Sequence, residues 1–248
     1  MKKAFALIIT ICILLFTVHG ETFAVGYNEE NLYEEGMLYF ENADYDRAFA
    51  RFQISGDVKK YAPAQNMLGV CYRDGLGTGQ DTAEAIRYFR LAADQEYPPA
   101  QENLLALEKE QAAKQKEHSI IAMKSAIINL SNEQRAKNGL PALSIDSDLQ
   151  LIADMRALEQ ISNPSHTRPD GSAWNTAFPD GVYFFIGENL CSSDEIKTEE
   201  EFASYCIKKW MEVQEDKKNL LNPYYLVTAV GIVISEETIY AAQLFGTP

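Results

Sequence analysis

Two stretches of the chain copy one another. Gly36, Tyr39, Ala48, Phe52 and Ala64-Gln65 recur as Gly69, Tyr72, Ala85, Phe89 and Ala100-Gln101. Gly36 to Gly69 is 33 residues and Ala64 to Ala100 is 36. A period in the thirties on helical patterning restricts the fold to stacked helix–turn–helix units, each burying its apolar face against its neighbour. In the second unit Leu68, Cys71 and Tyr72 mark one helix face, and Gly75-Leu76-Gly77-Thr78-Gly79 makes the turn. Ala85, Ile86, Phe89, Ala92 and Ala93 mark the partner helix. The alanines let two helices approach closely, and the aromatics fill the space above them. Helical repeats are expected over 29–103, then a charge-rich helical connector over 104–118 with a solvated face.

From 119 to 248 the pattern changes. Ile120, Ile121, Ile127, Ile128 and Leu130 predict an amphipathic helix stopping at Asn138-Gly139. Asp146 is placed to cap a second helix carrying Leu149, Ile152, Ala153, Met155 and Ala157, which Asn163-Pro164 ends. Pro169-Asp170-Gly171 is a turn. Val182 to Leu190 reads as a strand and Glu199 to Val213 as a helix, whose three leading glutamates suit its positive end. Ala229–Ser235 and Thr238–Phe245 read as a hairpin around Glu236-Glu237. Helices flanking an antiparallel sheet give an α+β or α-β-α sandwich. The fold class expected for the whole chain is α + (α/β): helical repeat hairpins, then the sandwich.

Composition narrows the partners. Lys+Arg is 22 against 36 Asp+Glu, a formal net charge of −14. Such a chain repels phosphate backbones and anionic membrane surfaces, so no nucleic acid is expected. Met1-Lys2-Lys3, the apolar run Ala4 to Val18, and Gly20 and Ala24 read as a secretory signal peptide over 1–24, cleaved after Ala24 or Gly20. No later stretch is long and apolar enough to span a membrane. The expected location is therefore secreted, extracellular or at the cell envelope. Export leaves Cys71, Cys191 and Cys206, an odd number. Either Cys191 and Cys206 are bridged in the oxidising compartment, or all three are small buried thiols. Cys71, on an apolar helical face, is read as the latter.

Leu68-Gly69-x-x-Tyr72-x-x-Gly75-x-Gly77-x-x-x-Asp81-x-x-x-Ala85-x-x-Tyr88-x-x-x-Ala92-Ala93 resembles a Sel1-like repeat, and the first unit, which lacks the glycine loop, looks like a tetratricopeptide repeat. Both resemblances imply a protein partner; two repeats could equally brace the domain that follows. The second half carries Asn132-Glu133-Gln134-Arg135, Gly139-Leu140-Pro141-Ala142-Leu143 and Ser165-His166-Thr167-Arg168-Pro169-Asp170-Gly171. Gly187-Glu188-Asn189-Leu190, Trp210-Met211, Asn219-Leu220-Leu221-Asn222-Pro223, Gly231-Ile232-Val233 and Gln243-Leu244-Phe245-Gly246 follow in order. Together these resemble a CAP domain, of the cysteine-rich secretory, antigen 5 and pathogenesis-related-1 superfamily, in its bacterial SCP-like form.

That resemblance implies a central cleft with two His and two acidic residues. His166 matches the first His and Glu188 the acid of Gly-Glu-Asn. Asp216 stands where the second His belongs, and Glu212, two residues past Trp210, loosely matches an acid. The expected ligand cleft is therefore His166, Glu188, Glu212 and Asp216. A zinc site needs three or four ligands, and His118 sits apart near the connector, so no cofactor is expected beyond a weakly held divalent ion at His166, Glu188 and Asp216. His166 oriented by Glu188 are the candidate catalytic pair, but no Ser or Cys lies in a nucleophile motif and Ser165 is merely adjacent. The bland alternative is a His and a Glu hydrogen-bonded across the cleft to fix a loop. Asn132 and Arg135 are expected to tie the first helix to neighbouring loops, and Phe202 and Trp210 to face the core. The combined expectation is an exported, non-enzymatic binding or scaffold protein. Its repeats would dock a protein and its cleft a peptide, lipid or other small hydrophobic ligand. The alternative is a peptidase-like hydrolase.

Overall fold

The computed structural model describes residues 16–18, 21–23, 28–196 and 198–248. Of the leader segment 1–24 only β1 (Phe16–Val18) and β2 (Glu21–Phe23) are described, paired antiparallel; the signal-peptide reading otherwise lies outside the described residues. The chain forms two compact units, Met1–Ala112 and Ala113–Pro248.

The first unit holds α1 (Glu29–Glu41), α2 (Tyr45–Gln53), α3 (Ala62–Asp74), α4 (Thr82–Ala93) and the start of α5 (Pro98–Lys137). The repeated residues turn out to be one packing device used twice. A Cβ on Gly36 would lie 2.6 Å from the Phe52 ring, and one on Gly69 would lie 2.5 Å from the Phe89 ring. In each hairpin a glycine lets a phenylalanine seat flat on the partner helix, and both rings are fully buried. The loops match too. Asp44 N–H donates to Tyr39 O and Asp81 N–H to Tyr72 O, each at 2.9 Å, and both aspartates then cap the next helix. Gly75 caps α3 in the left-handed region at φ +71°. Gly77, at φ +68°, leaves room for only a hydrogen, because a Cβ would meet Tyr45 O at 2.2 Å. A π-turn over Ile54–Val58 extends α2, and its Asp57 accepts the Tyr88 hydroxyl at 2.9 Å. Cys71 is buried, and burial pushes its thiol up to about 12, so it is a packing residue.

The connector is not a separate element. Pro98–Lys137 is one 40-residue helix, because no glycine or proline interrupts it between Pro99 and Gly139. The second unit takes its C-terminal part, followed by β3 (Ser144–Ile145), α6 (Ser147–Glu159), β4 (Phe185–Ser193), α7 (Glu199–Glu212), α8 (Gln214–Leu220), β5 (Val227–Ser235) and β6 (Thr238–Thr247). The sheet runs β3-β5-β6-β4, with β3 parallel to β5 and the rest antiparallel. Strand alternation sorts its two faces. Val227 and Ala229 pack with Leu149 and Ala153 of α6. Val230 and Ile232 pack with Met123 and Ile127 of α5 and with Phe202, Cys206 and Trp210 of α7. The result is an α-β-α sandwich, with Phe202 and Trp210 in its core.

Asn132 and Arg135 do tie α5 to loops. Asn132 exchanges hydrogen bonds with the backbone of Leu143, at 3.1 and 2.8 Å. Arg135 is fully buried and donates to the carbonyls of Pro141, Leu220, Asn222 and Tyr225. Its charge is dispersed over four backbone dipoles.

β4 starts at Phe185, three residues later than the sequence suggests. Tyr183 instead reaches into the α6 side of the sheet, with its hydroxyl on Asp146 at 3.0 Å, while Phe184 is left 81% exposed. β4 is an edge strand, which invites pairing with other chains. Here its outward carbonyls are occupied: Ile186 O accepts from Tyr225, Glu188 O from the Asn219 amide and Leu190 O from the Trp210 indole. Gly187 makes this closure fit, because a Cβ there would lie 2.6 Å from the Tyr225 hydroxyl.

Candidate functional site

α6 carries the apolar stripe Leu149, Ala153, Ala157, and Arg156 lies on the same buried face. A guanidinium there needs a buried carboxylate. Glu188, on the β4 edge strand, supplies it: Arg156 Nε donates to Oε2 at 2.6 Å and Nη2 to Oε1 at 3.1 Å, and both side chains are completely buried. Arg156 also bonds the Ser165 carbonyl at 3.1 Å and pairs with Glu159 one turn along α6. Glu159 in turn accepts Arg168 at 2.7 Å. Burial works against the Glu159 charge, but Arg168 and Arg156 together hold its carboxyl below the usual range.

The loop after α6 presents His166. Its carbonyl accepts Trp174 N–H, Thr167 bridges Ala173, and the Pro169-Asp170-Gly171 turn is closed by Asp170 accepting both donors of Ser172. Gly171 takes φ +84° there. His166 Nδ1 lies 2.9 Å from Glu188 Oε1, and the His166 side chain remains 54% exposed. Positive and negative groups thus alternate from Arg168 through Glu159, Arg156 and Glu188 to His166. The hydrogen bond that His166 donates to Glu188 lifts the imidazole above its ordinary value of 6.5, with partial burial opposing and Asp216 adding to the lift. Burial pushes the Asp216 carboxyl up, and His166 counters it.

Of the four expected cleft residues, His166 and Glu188 are bonded to each other, and Asp216 acts on the imidazole through its charge alone. Asp216 opens α8, and its carbonyl accepts the Asn189 amide at 2.9 Å. Asn189 also receives Asn219, so the Gly-Glu-Asn segment clamps α8 beside the histidine. Glu212 does not join them. It lies two residues past Trp210, roughly 200° round the helix. With Trp210 turned inward, Glu212 is exposed and its charge acts on Lys209. The sequence reading missed Arg156, Glu159 and Arg168; the available signal was an arginine in register with an apolar stripe.

The donor set does not fit a metal. Both Glu188 oxygens are committed to Arg156, whose positive charge opposes a cation at that carboxylate. Among the described residues no group of three His, Cys, Asp or Glu side chains converges. A nucleophile is not built beside His166 either: the Ser165 hydroxyl is shared between Asn163 Oδ1 at 3.0 Å and Thr167 O at 3.3 Å. What the arrangement offers is an imidazole fixed by one nitrogen, with the other facing solvent. Gln160, which donates to the same Ser165 carbonyl as Arg156, lines a cavity of about 190 Å³ with Pro164, Leu190, Cys191, Ser192 and Lys209, whose wall includes none of His166, Glu188 and Asp216.

Residues 62–97 match the Sel1 repeat family, and residues 128–245 match the cysteine-rich secretory protein family. Residues 128–245 are a CAP domain. The uncharacterized protein YkwD of Bacillus subtilis (strain 168) is 32% identical over 134 residues, 52% of this chain and 49% of that protein. The chain thus spans about half the length of this curated relative. Among solved structures, an extracellular protein containing a SCP domain from Bacillus anthracis is 22% identical, with a TM-score of 0.43 over 51% of this chain and 40% of its own. A cysteine-rich secretory protein from Staphylococcus aureus is also 22% identical, with a TM-score of 0.41 over 51% and 39%.

The lifted imidazole gives the CAP domain a signed pH dependence. His166 has a folded value above its unfolded one, so its pairing contributes fully below about 6.5 and is lost as pH rises through the folded value. Because the ring is half exposed, the contribution is at most about 1 kcal/mol. NMR titration is expected to place the His166 midpoint above 6.5, and Glu188→Gln to bring it back down. A midpoint unmoved by that substitution would show that the Glu188 contact is not formed in solution.

Proposed function

We propose that this is an exported, non-enzymatic binding protein in which the repeats dock a protein partner and the CAP domain holds a small ligand against His166. The observation that carries this reading is the saturation of Glu188. With Arg156 on both of its oxygens and His166 on one, the buried acid positions the histidine and has no capacity left for chemistry of its own. The exposed His166 ring gives a peptide or small amphipathic molecule a polar anchor held in place by the buried acid. Acidic composition favours partners that are not nucleic acids. The leader-like start of the sequence supports export, and among the described residues no helix is long and apolar enough to cross a membrane. The test is native mass spectrometry of protein from an exported fraction, run beside His166→Ala. A bound mass present in the parent and lost in the variant is expected. A bare mass in both would remove the cleft from the proposal and leave the repeats.

A second reading, a peptidase-like hydrolase, draws on one feature. A histidine held at Nδ1 by a carboxylate keeps Nε2 available as a general base. With Ser165 committed elsewhere, the attacking group would be water. Turnover of a cleaved substrate that survives His166→Ala unchanged would end this reading.

A further inference from the structure

Cys206 and Trp210 lie one turn apart on α7, and both face β4. The Trp210 indole donates to Leu190 O at 2.9 Å, which fixes that turn of helix against the strand immediately before Cys191. Cys191 packs against the buried cluster that contains Cys206. In the structure both are free thiols. Their surroundings differ. Cys206 is completely buried, and desolvation raises its thiol well above its ordinary value. Cys191 is half-buried and forms part of the wall of the 190 Å³ cavity, with the Lys209 ammonium within electrostatic reach. One thiol is therefore open to a small reagent, and its neighbour is open only to the first.

We propose that Cys191 and Cys206 are a redox pair that closes to an intramolecular disulfide by exchange with a small disulfide admitted through this cavity. The Cys191 thiolate attacks one sulfur of RS–SR. That S–S bond breaks, a mixed disulfide forms on Cys191, and RS⁻ leaves and takes up a proton. Cys206 then gives up its proton and its sulfur attacks Cys191 Sγ, expelling the second RS⁻. Two protein thiols and one RS–SR become one protein disulfide and two RSH, so both electrons pass to the reagent. Lys209 shares the cavity wall with Cys191, whereas Cys206 is completely buried and out of reach of the reagent. The bond ties the edge strand that carries Glu188 to α7. It concerns a different pair of residues from the His166 site and does not depend on any ligand there.

The test uses the full chain in a glutathione redox buffer, followed by alkylation under denaturing conditions and peptide mapping. The oxidised protein is expected to be two hydrogens lighter, to lose two alkylatable thiols and to yield one cross-linked species joining the Cys191 and Cys206 peptides. Cys206→Ala is expected to stop at a stable glutathione adduct on Cys191. Cys191→Ala is expected to take up no glutathione at Cys206 while folded. Recovery of both cysteines fully alkylated from the parent, a stable glutathione adduct on the parent, or a bridge to Cys71 would each overturn the proposal. The parent's peptide map decides alone if either variant fails to fold.

Discussion

Replacing Gly231 with alanine is expected to unfold or severely weaken the CAP domain. A Cβ at this position would lie 1.9 Å from Ala153 O, 2.3 Å from Ala153 C and 2.7 Å from Asp154 N. These are backbone atoms of α6, so no side chain can swing aside. The helix must lift off β5, which opens the packing of Leu149 and Ala153 on Val227 and Ala229. Overpacking of well-filled cores costs about 1–3 kcal/mol, and here the obstacle is a rigid helix, so a loss of about 3 kcal/mol or more is expected. That is a large share of the roughly 5–15 kcal/mol typical of a domain. Both tryptophans, Trp174 and Trp210, lie in the second unit, so their fluorescence during urea unfolding reports on it alone. A Gly231→Ala midpoint equal to that of the parent would mean that α6 is not seated on this glycine.

Gly231 also marks where sequence reading stops. It stands in a motif that points to the CAP domain, but its reason is the backbone of a helix some 78 residues earlier in the chain, which no local pattern encodes. The repeats were more legible, because Gly36 with Phe52 and Gly69 with Phe89 are contacts inside single hairpins, and their recurrence is visible as spacing. The hairpin at Glu236-Glu237 and the Asp146 cap were legible for the same reason, being local. Of the site, His166 and Glu188 came from motif resemblance and Asp216 from counting back from Asn219. Glu212 came from a loose match to a family acid two residues past Trp210, and helix geometry turns it away. Arg156 was hidden because it occupies an apolar stripe, where composition suggests only core. Its partner Glu188 lies 32 residues on, across the loop that presents His166.

Arg156 is therefore the position where stability and the candidate site meet, and Arg156→Met is expected to cost about 3–5 kcal/mol. Removing one member of a buried ion pair leaves the other charge uncompensated, and here Glu188 would keep only the half-exposed His166. Glu188→Gln should cost less, because Arg156 keeps Glu159 and the Ser165 carbonyl. The double variant Arg156→Met/Glu188→Gln removes both charges, so its loss should fall short of the sum of the singles by about 0.5–3 kcal/mol. Strict additivity in urea unfolding would mean that the two groups do not interact in solution. A second readout separates scaffold from site. Arg156 lowers the His166 midpoint electrostatically while Glu188 raises it, so in folded protein the two single variants should move the histidine titration in opposite directions. Opposite shifts from two partners of one buried pair would establish that Glu188 faces Arg156 and His166 at once. The imidazole would then be held in place by the packing of α6 against the edge strand.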